Sequence, residues 1–97
     1  GFEAYQQALK NDTFNKLVDK VIKLNEEISQ DKSLGKGFCI GHSYFCGRTK
    51  ENCTDEWMKS VVDYDILPML AEYWFDNDDN VNRWKDSFEK RVFNDEV

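Results

Sequence analysis

The sequence predicts a mainly α fold: a small bundle of four to five helices with at most a short strand or hairpin. Three observations lead there. Apolar residues recur at helical spacing on both sides of a short central stretch. The helical stretches open on Asn, Asp or Thr, whose short side chains accept from the orphan N–H groups of a first turn. Between them, Gly35, Gly37 and Gly41 interrupt the pattern around a brief apolar segment. At 97 residues the chain is read as one domain, 1–97.

Phe2, Tyr5 and Leu9 recur at helical spacing and suggest a short first helix. Asn11-Asp12-Thr13 is a stop followed by a cap cluster. Phe14, Leu17, Val18, Val21, Ile22, Asn25 and Ile28 follow the pattern of a half-buried helix, with Lys16, Lys20, Lys23, Glu26 and Glu27 on the other face. Gly35 and Gly37 end that region, since glycine tolerates the backbone of a helix exit. Phe38 to Ile40 reads as a brief strand or extended segment, and Gly41-His42-Ser43 as a turn, with Ser43 able to cap a short helical turn through Tyr44 and Phe45. Gly47 to Cys53 is a polar loop. Thr54 or Asn52 caps the next helix, whose Trp57, Val61 and Val62 face inward. Pro68 suits either the first turn of a new helix capped by Asp65 or a kink in one long helix, because it lacks an N–H. Leu67, Leu70, Tyr73 and Trp74 continue the apolar stripe. Asp79 or Asn80 caps a last helix carrying Val81, Trp84, Phe88 and Val92, and Asn94 to Val97 fray.

Composition excludes several classes. With 14% aromatic and 40% hydrophobic residues, the chain can build a core, which argues against disorder. No apolar run approaches the ~20 residues that cross a bilayer, so no membrane partner is expected. Net charge is −6, from 19 acidic and 13 basic residues. Nucleic-acid binders gain affinity by neutralising phosphates, so direct DNA binding by this chain is not expected. Three cysteines, Cys39, Cys46 and Cys53, cannot all pair within one chain and suit a reducing cytoplasm. The chain opens on Gly1 rather than methionine, which reads as a piece of a longer protein.

Catalytic motifs are missing. The sequence has no glycine-rich Lys-Ser/Thr phosphate loop, no apolar strand ending in acidic magnesium ligands and no nucleophile elbow. No catalytic residue is assigned. Cys39, His42, Cys46 and Cys53 form C-x2-H-x3-C-x6-C, ligand types that zinc accepts, but the spacing matches no common finger. Cysteine is also among the most buried residue types when unligated, so these are read as metal-free thiols.

Three motifs in this order carry a family resemblance. Leu24-Asn25-Glu26-Glu27-Ile28 is followed by Ile40-Gly41-His42-Ser43-Tyr44-Phe45, and then by Ile66-Leu67-Pro68-Met69-Leu70-Ala71-Glu72-Tyr73-Trp74-Phe75-Asp76. Together, over about Phe14 to Phe75, they resemble the C-terminal helical lid of the McrB-type AAA+ GTPases, motor subunits of restriction systems directed at 5-methylcytosine. The resemblance implies a lid packed over nucleotide held by a preceding αβα core. The parent would be a GTP-hydrolysing ring that uses magnesium and drives an McrC-like nuclease subunit. The lid's partners would be the AAA+ core of its own chain and neighbouring subunits, with no cofactor held by the lid alone. Related MoxR-type proteins carry Gly-x-Ser-Pro-Arg at the equivalent place, where the arginine senses phosphate. Here Phe45 takes the arginine position. Gly41, His42, Ser43 and Tyr44 are therefore the nucleotide-facing candidates, with Arg48 a weaker one.

Two other readings compete with the lid. One is a free-standing acidic helical adaptor that binds a protein through exposed aromatics. The other is a small zinc module built on Cys39, His42, Cys46 and Cys53. A phosphate loop encoded upstream of Gly1 supports the lid over both.

Overall fold

The computed structural model describes residues 11–41 and 51–93, and the chain falls into two compact units, Gly1–Cys53 and Thr54–Val97. The helix expected at Phe2, Tyr5 and Leu9, the turn after Gly41 and the last four residues lie outside the described residues. Within them the chain is mainly helical and has no strand.

In the first unit, helix α1 (Asp12–Gln30) starts where the cap cluster predicts it. The Asn11 side chain accepts from the Phe14 N–H at 2.9 Å, and Asp12 lies in the first turn, where a negative charge complements the dipole. Phe14, Leu17, Val18, Val21, Leu24 and Ile28 are fully buried. Each contributes about 1.5–3 kcal/mol of apolar transfer against the entropy of ordering. Leu24 belongs to this row, while Ile22 and Asn25 sit half-buried at its border.

The exit from α1 depends on Gly35. Its φ is +87°, its N–H donates to the Ile28 carbonyl at 3.2 Å, and its carbonyl accepts from the Phe38 N–H at 3.1 Å. A side chain at that φ is strained, although a Cβ there meets nothing within 4 Å. Gly35→Ala is therefore expected to cost about 1–2 kcal/mol through the backbone alone, and Gly37→Ala, equally open, much less. Paired urea denaturation curves check the difference.

The brief strand expected over Phe38 to Ile40 is not formed. Lys36–Phe38 instead make one tight 3₁₀ turn, after which Cys39 is extended with φ −65° and ψ 147°. Extended backbone becomes a strand only beside another strand, and here its neighbour is a side chain of α1.

The second unit begins with α2 (Asp55–Val61), capped by Thr54, whose hydroxyl accepts from the Trp57 N–H at 3.1 Å. It passes through a π turn (Val62–Ile66) into α3 (Leu67–Tyr73) without a break. Pro68 thus lies inside one continuous helical path, and Asp65 does not cap a new helix. Three such paths, 12–30, 55–73 and 78–93, occupy the described residues. The π turn has a cause in the sequence. Met58, Val62, Ile66, Leu70 and Trp74 are all buried and recur every four residues. At 3.6 residues per turn, positions four apart drift by about 40° at each step. A wider turn takes up that drift: the Leu67 N–H reaches back five residues to the Val62 carbonyl. The widened turn also gives room to the Pro68 ring, which in a plain α-helix presses on the carbonyl four residues earlier.

Helix α4 (Asp78–Phe88) is capped by Asn77, whose side chain accepts from the Asn80 N–H at 3.2 Å. The cap is thus two or three residues earlier than Asp79 or Asn80, which both lie inside the helix. Asn80 is used differently, accepting from the Arg83 guanidinium at 2.7 Å while that group lies 5.1 Å from the Trp84 ring. Trp84, Phe88 and Val92 are buried, again every four residues, and again the helix widens, into a π turn at Glu89–Phe93.

Candidate functional site

The described residues include Gly41 among the predicted nucleotide-facing positions; His42, Ser43, Tyr44 and Arg48 lie outside them. What the structure resolves is how the approach to those residues is held. Asn25 lies near the end of α1, at the border of an otherwise apolar row. Its Oδ1 accepts from the Ile40 N–H at 2.7 Å, and its Nδ2 donates to the Ile40 carbonyl at 2.9 Å. A primary amide offers one acceptor and one donor side by side, so Asn25 binds both backbone groups of Ile40 as a neighbouring strand would. The pairing also fixes the amide orientation, because the N–H needs the oxygen and the carbonyl needs the nitrogen.

Neighbouring contacts reinforce this anchor. The Cys39 thiol donates to the Asn25 backbone carbonyl at 3.4 Å. Ile40 is buried at 3% exposure, so the residue that the amide pair holds is also seated by its own apolar side chain. Beside it an open groove of about 400 Å³ is lined by Ile22, Asn25, Glu26, Ser29, Lys36 and Cys39. Gly41 follows directly and is exposed. Its Cα can lie only 3.8 Å from that of Ile40, so the place from which residues 42–44 depart is set by Asn25.

A second asparagine holds the far side of the same segment. Asn11 Nδ2 donates to the Cys53 carbonyl at 3.2 Å while Asn11 Oδ1 caps α1. Asn11 and Asn25 stand fourteen residues apart, about 21 Å along the helix at 1.5 Å per residue. The stretch between Ile40 and Cys53 is thus tied to opposite ends of α1. Both ties are side chain to backbone.

Of the four residues considered for zinc, Cys39 and Cys53 are described and His42 and Cys46 are not. The Cys39 sulfur is engaged with the Asn25 carbonyl, and no group of three or more His, Cys, Asp or Glu able to hold a metal occurs among the described residues. No helix among them is long and apolar enough to cross a membrane.

Sequence reading placed Asn25 in the helix but missed its task. The available signal was a lone amide within an apolar row, a residue type that burial disfavours unless its hydrogen bonds are made.

Comparison with known proteins identifies the family. The family model of the McrB alpha-helical lid domain matches residues 16–82, which include most of α1, with Asn25, and Ile40 and the Pro68 helix. The chain is 42% identical over 71 residues to the Type IV methyl-directed restriction enzyme EcoKMcrB subunit of Escherichia coli (strain K12), a match covering 70% of this chain and 16% of that protein. The chain therefore corresponds to about a sixth of that relative's length. No solved structure matches it. A family model spanning residues 16–82, well over half of the chain, makes this chain a member of the McrB alpha-helical lid domain family.

Proposed function

We propose that this chain is the lid of an McrB-like AAA+ nucleoside triphosphatase, a GTPase that serves a modification-dependent DNA restriction system in the cytoplasm. The lid closes over nucleotide held by the αβα core of its own chain and takes part in ring assembly with neighbouring subunits, for which an McrC-like nuclease is the downstream partner. With the helix read at Phe2, Tyr5 and Leu9, and a short one after Ser43, the whole lid is a bundle of four to five helices. The observation that carries this reading is the family match across 16–82, which includes the Gly41-His42-Ser43-Tyr44 element. In the whole protein GTP and magnesium are held by the core, since the sequence of this chain carries no phosphate loop.

Two further features support it. The anchored Ile40 presents Gly41 outward at a set place, as a ligand-facing turn requires. On the second unit, Tyr64 and Phe75 are each 78% exposed, and Pro68 and Ala71 between them are exposed as well. Exposed aromatics of this kind are enriched where protein surfaces meet, and this face is assigned to subunit contact.

His42→Ala in the full-length protein tests the reading. GTP hydrolysis or ring assembly is expected to fall, while the melting temperature of the 97-residue chain barely moves. A His42 that serves only its turn would give the opposite: about 1 kcal/mol of stability lost with one hydrogen bond and turnover unchanged.

A further inference from the structure

We propose that the exposed strip of the second unit carrying Tyr64, Glu72 and Phe75 receives an arginine- or lysine-bearing surface of a neighbouring subunit. The inference rests on the lid reading, which assigns this face to subunit contact, and adds the chemistry of what meets it. Tyr64 and Phe75 are the most exposed large hydrophobic residues among those described, at 78% each against 43% for Phe38. Both stand beside carboxylates: Tyr64 lies between Asp63 and Asp65, and Phe75 precedes Asp76. The strip is continuous. Val62, Ile66 and Leu70 hold one buried line along the helical path, so Tyr64, Pro68 and Glu72, each two residues further on, hold a second line about 200° round from it. All three are exposed, and Phe75 follows just beyond the helix end at Tyr73. Residues 60–82 include six acidic residues and no basic one, and all six acids are exposed.

Most of these acids do nothing for their own helices. Asp78 and Asp79 lie in the first turn of α4, where the dipole favours them. Asp63 and Asp65 instead sit in the π turn within a continuous helical path. Glu72 is in the last turn of α3, where a negative charge opposes the dipole. No lysine or arginine stands within four residues of Glu72, so it gains no offsetting pair along the helix. An exposed ring beside a carboxylate is complementary to a guanidinium, which stacks on the ring and donates to the carboxylate. An ammonium matches the same pair as a point charge. A polyanionic partner, nucleic acid included, meets only like charge on this strip.

The test uses the full-length protein with GTP and magnesium, its assembly read by sedimentation velocity at low and high salt, about 50 and 300 mM. Glu72→Gln with Asp76→Asn keeps side-chain size and removes two charges from the strip. Glu26→Gln with Glu51→Gln removes the same net charge from exposed positions of the first unit. Tyr64→Ser with Phe75→Ser removes the rings. The strip charge pair is expected to weaken association roughly 3–10-fold at low salt and little at high salt, while the first-unit pair matches the parent. The ring pair should weaken it roughly tenfold or more at both salt concentrations. If the ring pair weakens assembly and the two charge pairs behave alike, the partner surface is not basic: the proposal is overturned and the subunit-contact reading stands. If the ring pair assembles as the parent does, Tyr64 and Phe75 are not at the contact and the proposal falls. With both charge pairs silent as well, or with a parent that stays monomeric, the assignment of this face to subunit contact falls too. Should the strip charge pair melt markedly lower, Asp63→Asn with Asp65→Asn supplies the same comparison against the first-unit pair, and association equal to the parent at low salt overturns the proposal.

Discussion

Deleting Lys23 is expected to cost on the order of 3–6 kcal/mol, although its side chain is exposed. Removal of one residue from α1 turns everything beyond it by about 100° around the helix axis. Leu24 and Ile28, both fully buried, leave the core face, and Asn25 swings away from Ile40. Urea denaturation of the chain, read beside a second deletion, checks the cause. Deleting Tyr64, 78% exposed, should cost about 1 kcal/mol or less. The π turn at Val62–Ile66 amounts to one surplus residue in an α-helix. Without Tyr64 the buried row from Met58 to Trp74 changes from steps of four to steps of four, three, four and four, which an α-helix accommodates. Equal losses for the two deletions would show that the π turn is not such an insertion.

Phe88→Ala is the second large effect, at about 3–5 kcal/mol. Phe88 is fully buried, and its ring lies 6.3 Å from that of Trp84 at a 45° tilt, a tilted pairing that contributes beyond burial. Truncation leaves a cavity at the junction of α4 and the π turn that follows it, lined by a core that relaxes only partly. Phe75→Ala is the matched control, because Phe75 is 78% exposed and its loss should stay within about 0.5 kcal/mol. Equilibrium denaturation of both variants gives the difference directly. A Phe88→Ala loss below 1 kcal/mol would mean that this side chain is not the core element its burial describes.

The helices and most of their caps were legible because they are local. Asn11 and Thr54 cap where short polar side chains precede apolar periodicity, and a cap needs only the three residues after it. The last helix shows the limit of that logic. Asn77, Asp79 and Asn80 are all capping types within four positions, and the choice of Asn77 depends on where the chain leaves Trp74. The candidate site was legible as a motif, through Gly41-His42-Ser43-Tyr44, but the means of holding it was not. Asn25 reads as one more helix position until Ile40 is brought beside it.

By itself, then, the sequence determined the mainly helical class, the buried row of α1 apart from Leu24, the buried Trp84, Phe88 and Val92 of the last helical path, the inward Val61, Val62 and Leu70, and the lid family. Each of these follows from spacing along one segment or from residue identity. Even the π turns leave a trace in the strict four-residue recurrence of Met58, Val62, Ile66, Leu70 and Trp74, whose drift a plain α-helix cannot absorb. Tertiary structure alone decided that Phe38 to Ile40 forms no strand, that Pro68 sits within an unbroken helix, and that Asn25 and Asn11 tie Ile40 and Cys53 to the two ends of α1. The physical reason is common to the strand and to the two ties. A strand needs a partner backbone, and a side-chain amide that supplies one from fifteen or forty-two residues away follows no period along the chain.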